Sequence, residues 1–355
     1  TGPDRRILAM LLLSFPLLAA GGEPRLLESA RTGDIEDVIG LLEQTKAADV
    51  NLASADGTTA LHWAAHRGDS ELARRLLQAG AEPDPANDYG ITPLWLACTN
   101  RDDAMALVLL DAGADPGAAL WSGETVLMNC ARTGAANSVA ALLERGADPN
   151  AAESKLNQTA LMWAAAGGHA GVVAALIRHG ADVAAASTGG FTPLLFAARS
   201  GDVETGRALV KAGADPDEAT AEHGNTLVVA SAGGHEDLAL YLLEAGADPL
   251  KGTKVDKATF EHETRVHSSE NQIQGDATPL MAAVGMGFRN EQSLSSSQEQ
   301  NALEAAKLLI SLGADVNEAT ASGWTPLHAA AFIGADRLVS FLVEQGAKVN
   351  VRNGC

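Results

Sequence analysis

The chain is predicted to be an all-α repeat solenoid, an array of helix-turn-helix units joined by short polar stretches that turn the chain back. Three observations predict it. A tetrapeptide of the Thr-Pro-Leu-His kind starts at Thr59, Thr92, Thr125, Thr159, Thr192, Asn225, Thr278 and Thr325, with spacings of 33, 33, 34, 33, 33, 53 and 47 residues. A fixed period of that size means stacked units that share one continuous core. After each tetrapeptide comes a small pair such as Ala64-Ala65 or Ala197-Ala198, then a stripe such as Leu72, Leu76 and Leu77. That spacing places one apolar face on a helix. Each stripe ends at Gly-Ala, as in Gly80-Ala81, Gly213-Ala214 and Gly346-Ala347, and Gly there is the usual left-handed helix stop.

The elements follow in chain order. Residues 1–21 read as a signal peptide whose start is incomplete. Arg5-Arg6 precede the apolar run Ile7–Ala20, and small residues follow, the order of an export leader. The run is short for a membrane span, which needs about 20 apolar residues. Cleavage is expected near Ala20 to Gly22, with no membrane insertion of the mature chain. Residues 22–57 read as a degenerate, charged N-terminal capping repeat, and 58–248 as regular repeats. Within each, Thr is a natural N-cap and Pro suits the first helical position. A Gly-Asp or Gly-His turn then places Asp69, His169, Asp202 or His235 as the expected cap of the second helix. Residues 249–323 carry repeats with two loop insertions, 249–276 and about 288–301. The first holds Lys251, Lys254 and Lys257; the second is rich in Ser and Gln, a composition that favours disorder. Residues 324–355 form a last, truncated repeat without a polar cap, so further repeats or another domain are expected beyond it.

These residues together resemble the ankyrin repeat family, over roughly residues 24 to 355, and the resemblance implies helix-turn-helix units joined by projecting β-hairpin-like loops. The segments Leu61 to Asp69 and Leu161 to His169 also look like exported bacterial ankyrin repeat proteins. The family tetrapeptide keeps its His only as His62 and His328; Trp95, Met128, Met162, Leu195, Val228 and Met281 replace it elsewhere. The hydrogen bonds of that His are expected to be missing there. The resemblance implies a partner on the concave face, at the hairpin tips and the exposed side of the first helices. Carried over by register, the partner-binding residues are Asp88, Tyr89, Ile91, Trp121, Glu124, Arg132, Leu156, Phe191, Arg199, Trp324 and Phe332. Tyr89 and Trp121, at the tips of consecutive hairpins, are expected to stand close together. Trp63 and Trp163 share one first-helix position, where packing and binding are equally open.

Chemistry is sparse. His262-Glu263-Thr264-Arg265-Val266-His267 is one residue too long for a zinc-binding helix motif, because residues five apart do not share a helix face. No phosphate-cradling, nucleophile-elbow or dinucleotide motif is present. No catalytic residue, cofactor or metal is expected. Cys98 and Cys130 occupy small-pair positions of adjacent repeats and are expected to stand in for buried alanines. A disulfide needs Cα atoms within about 7 Å, and equivalent positions in adjacent repeats normally lie further apart; an oxidising compartment keeps the pairing open.

The chain carries 25 Lys+Arg against 45 Asp+Glu, a net charge of −20. That balance disfavours nucleic acid, which needs a basic footprint. It suits a protein partner with a basic or apolar surface. The expected function is a non-catalytic protein-protein interaction scaffold, monomeric and exported to the periplasm or secreted. The alternative is a regulatory or targeting arm of an enzyme whose catalytic domain lies beyond residue 355. A ligand or metal site built by the first insertion is a third possibility.

Overall fold

A computed structural model describes residues 24–44, 50–220, 224–233, 235–249, 251, 278–284, 296–320 and 323–352. The leader, most of the first insertion with its His262–His267 segment, and residues 285–295 lie outside them. The chain divides into two units, Thr1–Pro93 and Leu94–Cys355.

The first unit holds α1 (Arg25–Thr32), α2 (Ile35–Leu42), α3 (Ala60–Arg67) and α4 (Ser70–Gln78). Helix α3 packs on α1, and α4 on α2. Helix α5 (Pro93–Asn100) opens the second unit. It is followed by α6 (Asp103–Asp111), α7 (Val126–Thr133), α8 (Ala136–Glu144), α9 (Ala160–Ala166), α10 (Ala170–Arg178), α11 (Pro193–Ser200) and α12 (Val203–Lys211). Then come α13 (Thr226–Gly233), α14 (Glu236–Glu244), α15 (Pro279–Ala283), α16 (Ser296–Ser311), α17 (Pro326–Phe332) and α18 (Asp336–Glu344). First helices stack on first helices, as α7 on α9 and α9 on α11, and second helices on second helices, as α8 on α10 and α10 on α12.

Local chemistry explains each pair. The Thr125 hydroxyl accepts from the Met128 N–H at 3.2 Å and the Asn225 side chain from the Val228 N–H at 2.9 Å, so both cap a first helix. Asp69, Asp102 and Asp202 cap second helices by accepting from Leu72, Met105 and Thr205 at 2.7–3.0 Å. From α4 onward each second helix stops as α4 does: Gly80 has φ +95°, and the Ala81 N–H reaches back to the Leu76 carbonyl at 2.9 Å. The tetrapeptide leucines Leu61, Leu94, Leu127, Leu161, Leu194, Leu227 and Leu280 are all buried. Each contributes about 1.5–3 kcal/mol of apolar burial. In the second helices, Leu72 and Leu76, or Val172, Val173 and Leu176, are fully buried, while the outer stripe members Leu77, Ile177 and Leu243 are only half-buried.

Between helix pairs the chain forms short hairpins. Isolated bridges join Ala53 to Thr59, Ala119 to Thr125 and Ala152 to Thr159, and β1 (Ala219–Thr220) pairs antiparallel with β2 (Gly224–Asn225). Consecutive tips bond to one another. In the first unit Asp88 N–H donates to Asp56 O at 2.9 Å; in the second, Ser154 and Thr188 donate to Ser122 O and Leu156 O at 2.9 Å.

Three expectations are corrected. Cys98 and Cys130 are bonded as a disulfide, with Cα atoms 4.6 Å apart. They are not equivalent residues: Cys98 is the second member of its small pair and Cys130 the first of the next. The small side chains let α5 and α7 approach until these offset positions meet. His169 and His235 do not cap α10 and α14; their rings reach the preceding repeat instead. Residues from Ser296 onward, placed in a disordered insertion by their Ser/Gln composition, are the first turns of α16.

Candidate binding surface

The hairpin tips carry exposed apolar side chains on pinned backbone. Trp121 is 91% exposed. Its hairpin is closed by Leu120 N–H to Glu124 O at 2.9 Å, and Ser122 O accepts from both the Ser154 N–H and its hydroxyl. Leu156 is exposed at the next tip, in the one repeat with a 34-residue spacing. The extra residue is absorbed by Asn157 at φ +54°, and the buried Glu153 carboxylate accepts from the N–H groups of Lys155, Leu156 and Gln158 at 2.7–3.1 Å. Tyr89 and Asp88 are exposed at a tip of the first unit. There Asn87 folds back on the N–H groups of Tyr89 and Ile91, and Ile91 is half-buried. Tyr89 belongs to the first unit and Trp121 to the second.

Behind the tips, first helices of the second unit hold two arginines over aromatic rings. Arg132 on α7 lies 6.0 Å from the Trp163 ring on α9. Arg199 at the end of α11 lies 6.0 Å from Phe191 and 5.4 Å from Phe196, whose rings are 5.5 Å apart. Such stacking contributes about 0.5–2 kcal/mol each. Trp163 and Phe191 are half-buried, Phe196 is buried, and Arg199 is exposed. Glu124 is half-buried on the hairpin beside Arg132. Desolvation holds its carboxyl above the usual range, Arg132 pulling it down and Glu153 pushing it up. In the last repeat Trp324 stacks edge-on against Phe332, centroids 5.8 Å apart, and Phe332 is 62% exposed.

Sequence reasoning missed the residues that position these arginines. Asn129 is wholly buried, donates to Trp95 O at 3.0 Å and Thr99 Oγ1 at 2.9 Å, and accepts from Arg132 Nη2 at 2.6 Å. Its signal was an amide at the first-helix position held elsewhere by Trp63, Leu96, Trp163 and Phe196. His169 Nε2 donates to the Arg132 carbonyl at 3.1 Å, and His235 Nε2 to the Arg199 carbonyl at 3.2 Å. Each ring sits between two glycines with no space for a Cβ. One on Gly134 or Gly167 would come within 2.8 or 2.6 Å of His169, and one on Gly201 or Gly233 within 2.2 or 2.4 Å of His235. Both arginines therefore hang from the same inter-repeat device.

Comparison with known proteins places the chain. The family described as "Ankyrin repeats (3 copies)" matches residues 26–120, 117–187, 184–253 and 260–353, and the chain belongs to it. Human oxysterol-binding protein-related protein 1 is similar at 38% identity over 65 residues, 18% of this chain. Human protein phosphatase 1 regulatory subunit 27 is similar at 39% over 51 residues, 14% of this chain. The chain spans only 7% and 33% of these relatives' own lengths. Among solved structures, the human ASB11 ankyrin repeat domain matches with TM-score 0.54 and 26% identity, covering 63% of this chain and 98% of that one. The ankyrin repeat domain of Bcl-3, of the IkappaB protein family, matches with TM-score 0.53 and 28% identity, covering 64% and 100%. Ankyrin repeats are, in general, protein-protein interaction modules. The relatives named are mammalian, and the narrower likeness to exported bacterial proteins finds no support in them.

Proposed function

We propose that the chain is a non-catalytic scaffold that binds another protein across its hairpin tips and the adjoining side of the first helices, the concave face of an ankyrin array. The observation that carries this reading is Trp121. A large ring 91% exposed on a hairpin pinned to its neighbour by two hydrogen bonds is pre-organised anchor material. Within the second unit the exposed Leu156 and Phe332 and the half-buried Phe191 and Trp324 extend the same surface type, and Tyr89 presents it in the first unit. Apolar exposure of this kind marks interaction sites. The net charge of −20 draws a basic or apolar protein surface in preference to nucleic acid.

The test is Tyr89→Ala with Trp121→Ala. Neither ring belongs to a helix stripe, so helicity and thermal midpoint are expected to hold while partner affinity falls by about 2 kcal/mol or more. Unchanged affinity would move the site away from the tips, and loss of folding would make the rings structural.

We further propose that the chain works outside the cytoplasm as a monomer. The order Arg5-Arg6, Ile7–Ala20, Gly21-Gly22 supports export. So does the Cys98–Cys130 disulfide, a bond that persists in oxidising compartments. Amino-terminal sequencing of the exported form is expected to begin near Ala20 to Gly22. Recovery of the intact leader in the cytosol alone would overturn the proposal.

A further inference from the structure

We infer that the strip formed by Arg132, Trp163, Phe191, Phe196 and Arg199 receives an acidic segment of the partner protein, one carboxylate at each arginine and an apolar side chain over the rings between them. The inference rests on the scaffold reading and names its partner chemistry. On a chain of net charge −20, this strip presents arginines. Arg199 is exposed, flanked by two phenyl rings, and makes no carboxylate ion pair among the described residues. Arg132 faces the half-buried carboxyl of Glu124, whose pKa burial raises and Arg132 lowers, and donates to the amide oxygen of Asn129. Its Nε–H and the Trp163 indole N–H are both buried without an acceptor. Neither of these two atoms has exposed surface, so an incoming ligand meets the remaining guanidinium nitrogens, and a carboxylate supplies two oxygens in the geometry arginine binds best.

The twofold use of one device sets the spacing. Arg132 and Arg199 are two repeats apart, and a His of the following repeat holds each backbone. First helices pack about 8–10 Å apart, so the helix axes that carry the two arginines stand about 16–20 Å apart along the stack. An extended chain rises about 3.3 Å per residue and returns its side chains to one face every second residue, so the two carboxylates fall about six residues apart. The overall negative field is screened beyond about 8–10 Å at ordinary ionic strength, so at contact the two arginines govern which side chains seat.

A random peptide library displayed on phage and panned on the full chain tests this. Enriched peptides are expected to share two Asp or Glu residues about six apart, with an apolar residue between on the same face. The synthetic form of an enriched peptide should lose affinity at least tenfold when its acids become Asn or Gln, read by tryptophan fluorescence of the wild-type chain. Arg132→Gln with Arg199→Gln should lose as much, with circular dichroism unchanged. If that variant misfolds, the amide peptide on the wild-type chain still decides. Equal binding of acidic and amide peptides overturns the inference, as does displacement of the peptide by inorganic phosphate, which would make this a free-anion site. Enriched peptides without acids, blocked by Trp163→Ala, overturn the inference and leave the scaffold reading standing. Failure of both peptide enrichment and partner capture overturns both.

Discussion

The same tetrapeptide appears as Thr59-Ala60-Leu61-His62 in the first unit and as Thr325-Pro326-Leu327-His328 in the last repeat, with different results. The local part is identical. Nδ1 of each His meets the Thr hydroxyl, at 2.9 and 2.8 Å, and accepts from the Thr N–H, at 3.1 and 3.2 Å. The non-local part differs. His62 is 1% exposed and its Nε2 donates to Ile91 O of the following hairpin at 2.9 Å; burial holds its pKa down, so the ring stays neutral. His328 is half-buried, with no such bond among the described residues, and Leu327 is half-buried where Leu61 is fully buried. A motif of this kind specifies its own turn. Whether that turn becomes core depends on the hairpin laid over it.

The largest test of that contrast is a matched truncation. Leu61→Ala should cost about 2–5 kcal/mol, the usual range for a buried leucine, and Leu327→Ala about 1 kcal/mol. Urea denaturation of the two variants measures the difference; equal costs would mean that the deeper burial of Leu61 does not set its contribution. Next comes the covalent link of α5 to α7, which the last repeat has no counterpart for. Closing a loop of sequence separation 32 should stabilise the chain by about 3–4 kcal/mol. Reductant, or Cys98→Ala with Cys130→Ala, should lower the thermal midpoint, and an unchanged midpoint would argue that no such bond forms.

Most of the fold was legible because its causes are local. Threonine caps, the Gly-Ala stops and the leucine stripe act within one turn of helix, and each is found where the period places it. The disulfide was misjudged because register compared Cys98 with the equivalent of Cys130, whereas side chains across the stack meet one position out of register. His169 and His235 were misread as caps because a Gly-His turn looks like a Gly-Asp turn until the ring is seen to fill the space between two glycines of neighbouring repeats. The exposed ring of Trp121 was readable as an aromatic in a loop of small polar residues. Asn129 was visible only as an amide in an apolar column; its bond from Arg132 lies within one helix, but those to Trp95 and Thr99 are settled by tertiary placement. Met128 shows the reverse case. The loss of His removes a hydrogen bond in principle, yet its sulfur lies 3.4 Å from the Thr125 N–H and accepts weakly.

A sharper form of the comparison removes the imidazoles. His62→Ala strands the Thr59 N–H and the Ile91 carbonyl in the core and should cost about 1–3 kcal/mol. His328→Ala removes only the turn-closing contact and should cost about 1 kcal/mol or less. Similar losses in urea denaturation of the pair would show that the Ile91 bond contributes nothing and that the local box is the whole effect.

The smallest effect uses a carboxyl pair in the same register. Glu218 and Glu318 each lie three residues after the Asp of a Gly-Ala-Asp stop, and desolvation followed by that Asp pushes both above the usual glutamate range. Glu218 is the more buried and rises to about 7, although it accepts from the Thr192 hydroxyl and the Leu195 N–H. The sign follows from proton binding. Between about 4.5 and about 7 the folded chain holds the Glu218 proton and the unfolded chain has released it, so stability falls as pH rises through that window and levels off above it. Allowing for its partial exposure, the loss should be about 1–2 kcal/mol. Glu218→Gln should therefore stabilise the chain at pH 8 and converge on wild type near pH 4, while Glu318→Gln should show the same sign with a smaller amplitude. Thermal midpoints across pH 4–8 measure both. A gain that does not change with pH would assign the effect to packing, and a larger gain at Glu318 would reverse the order of burial on which the comparison rests.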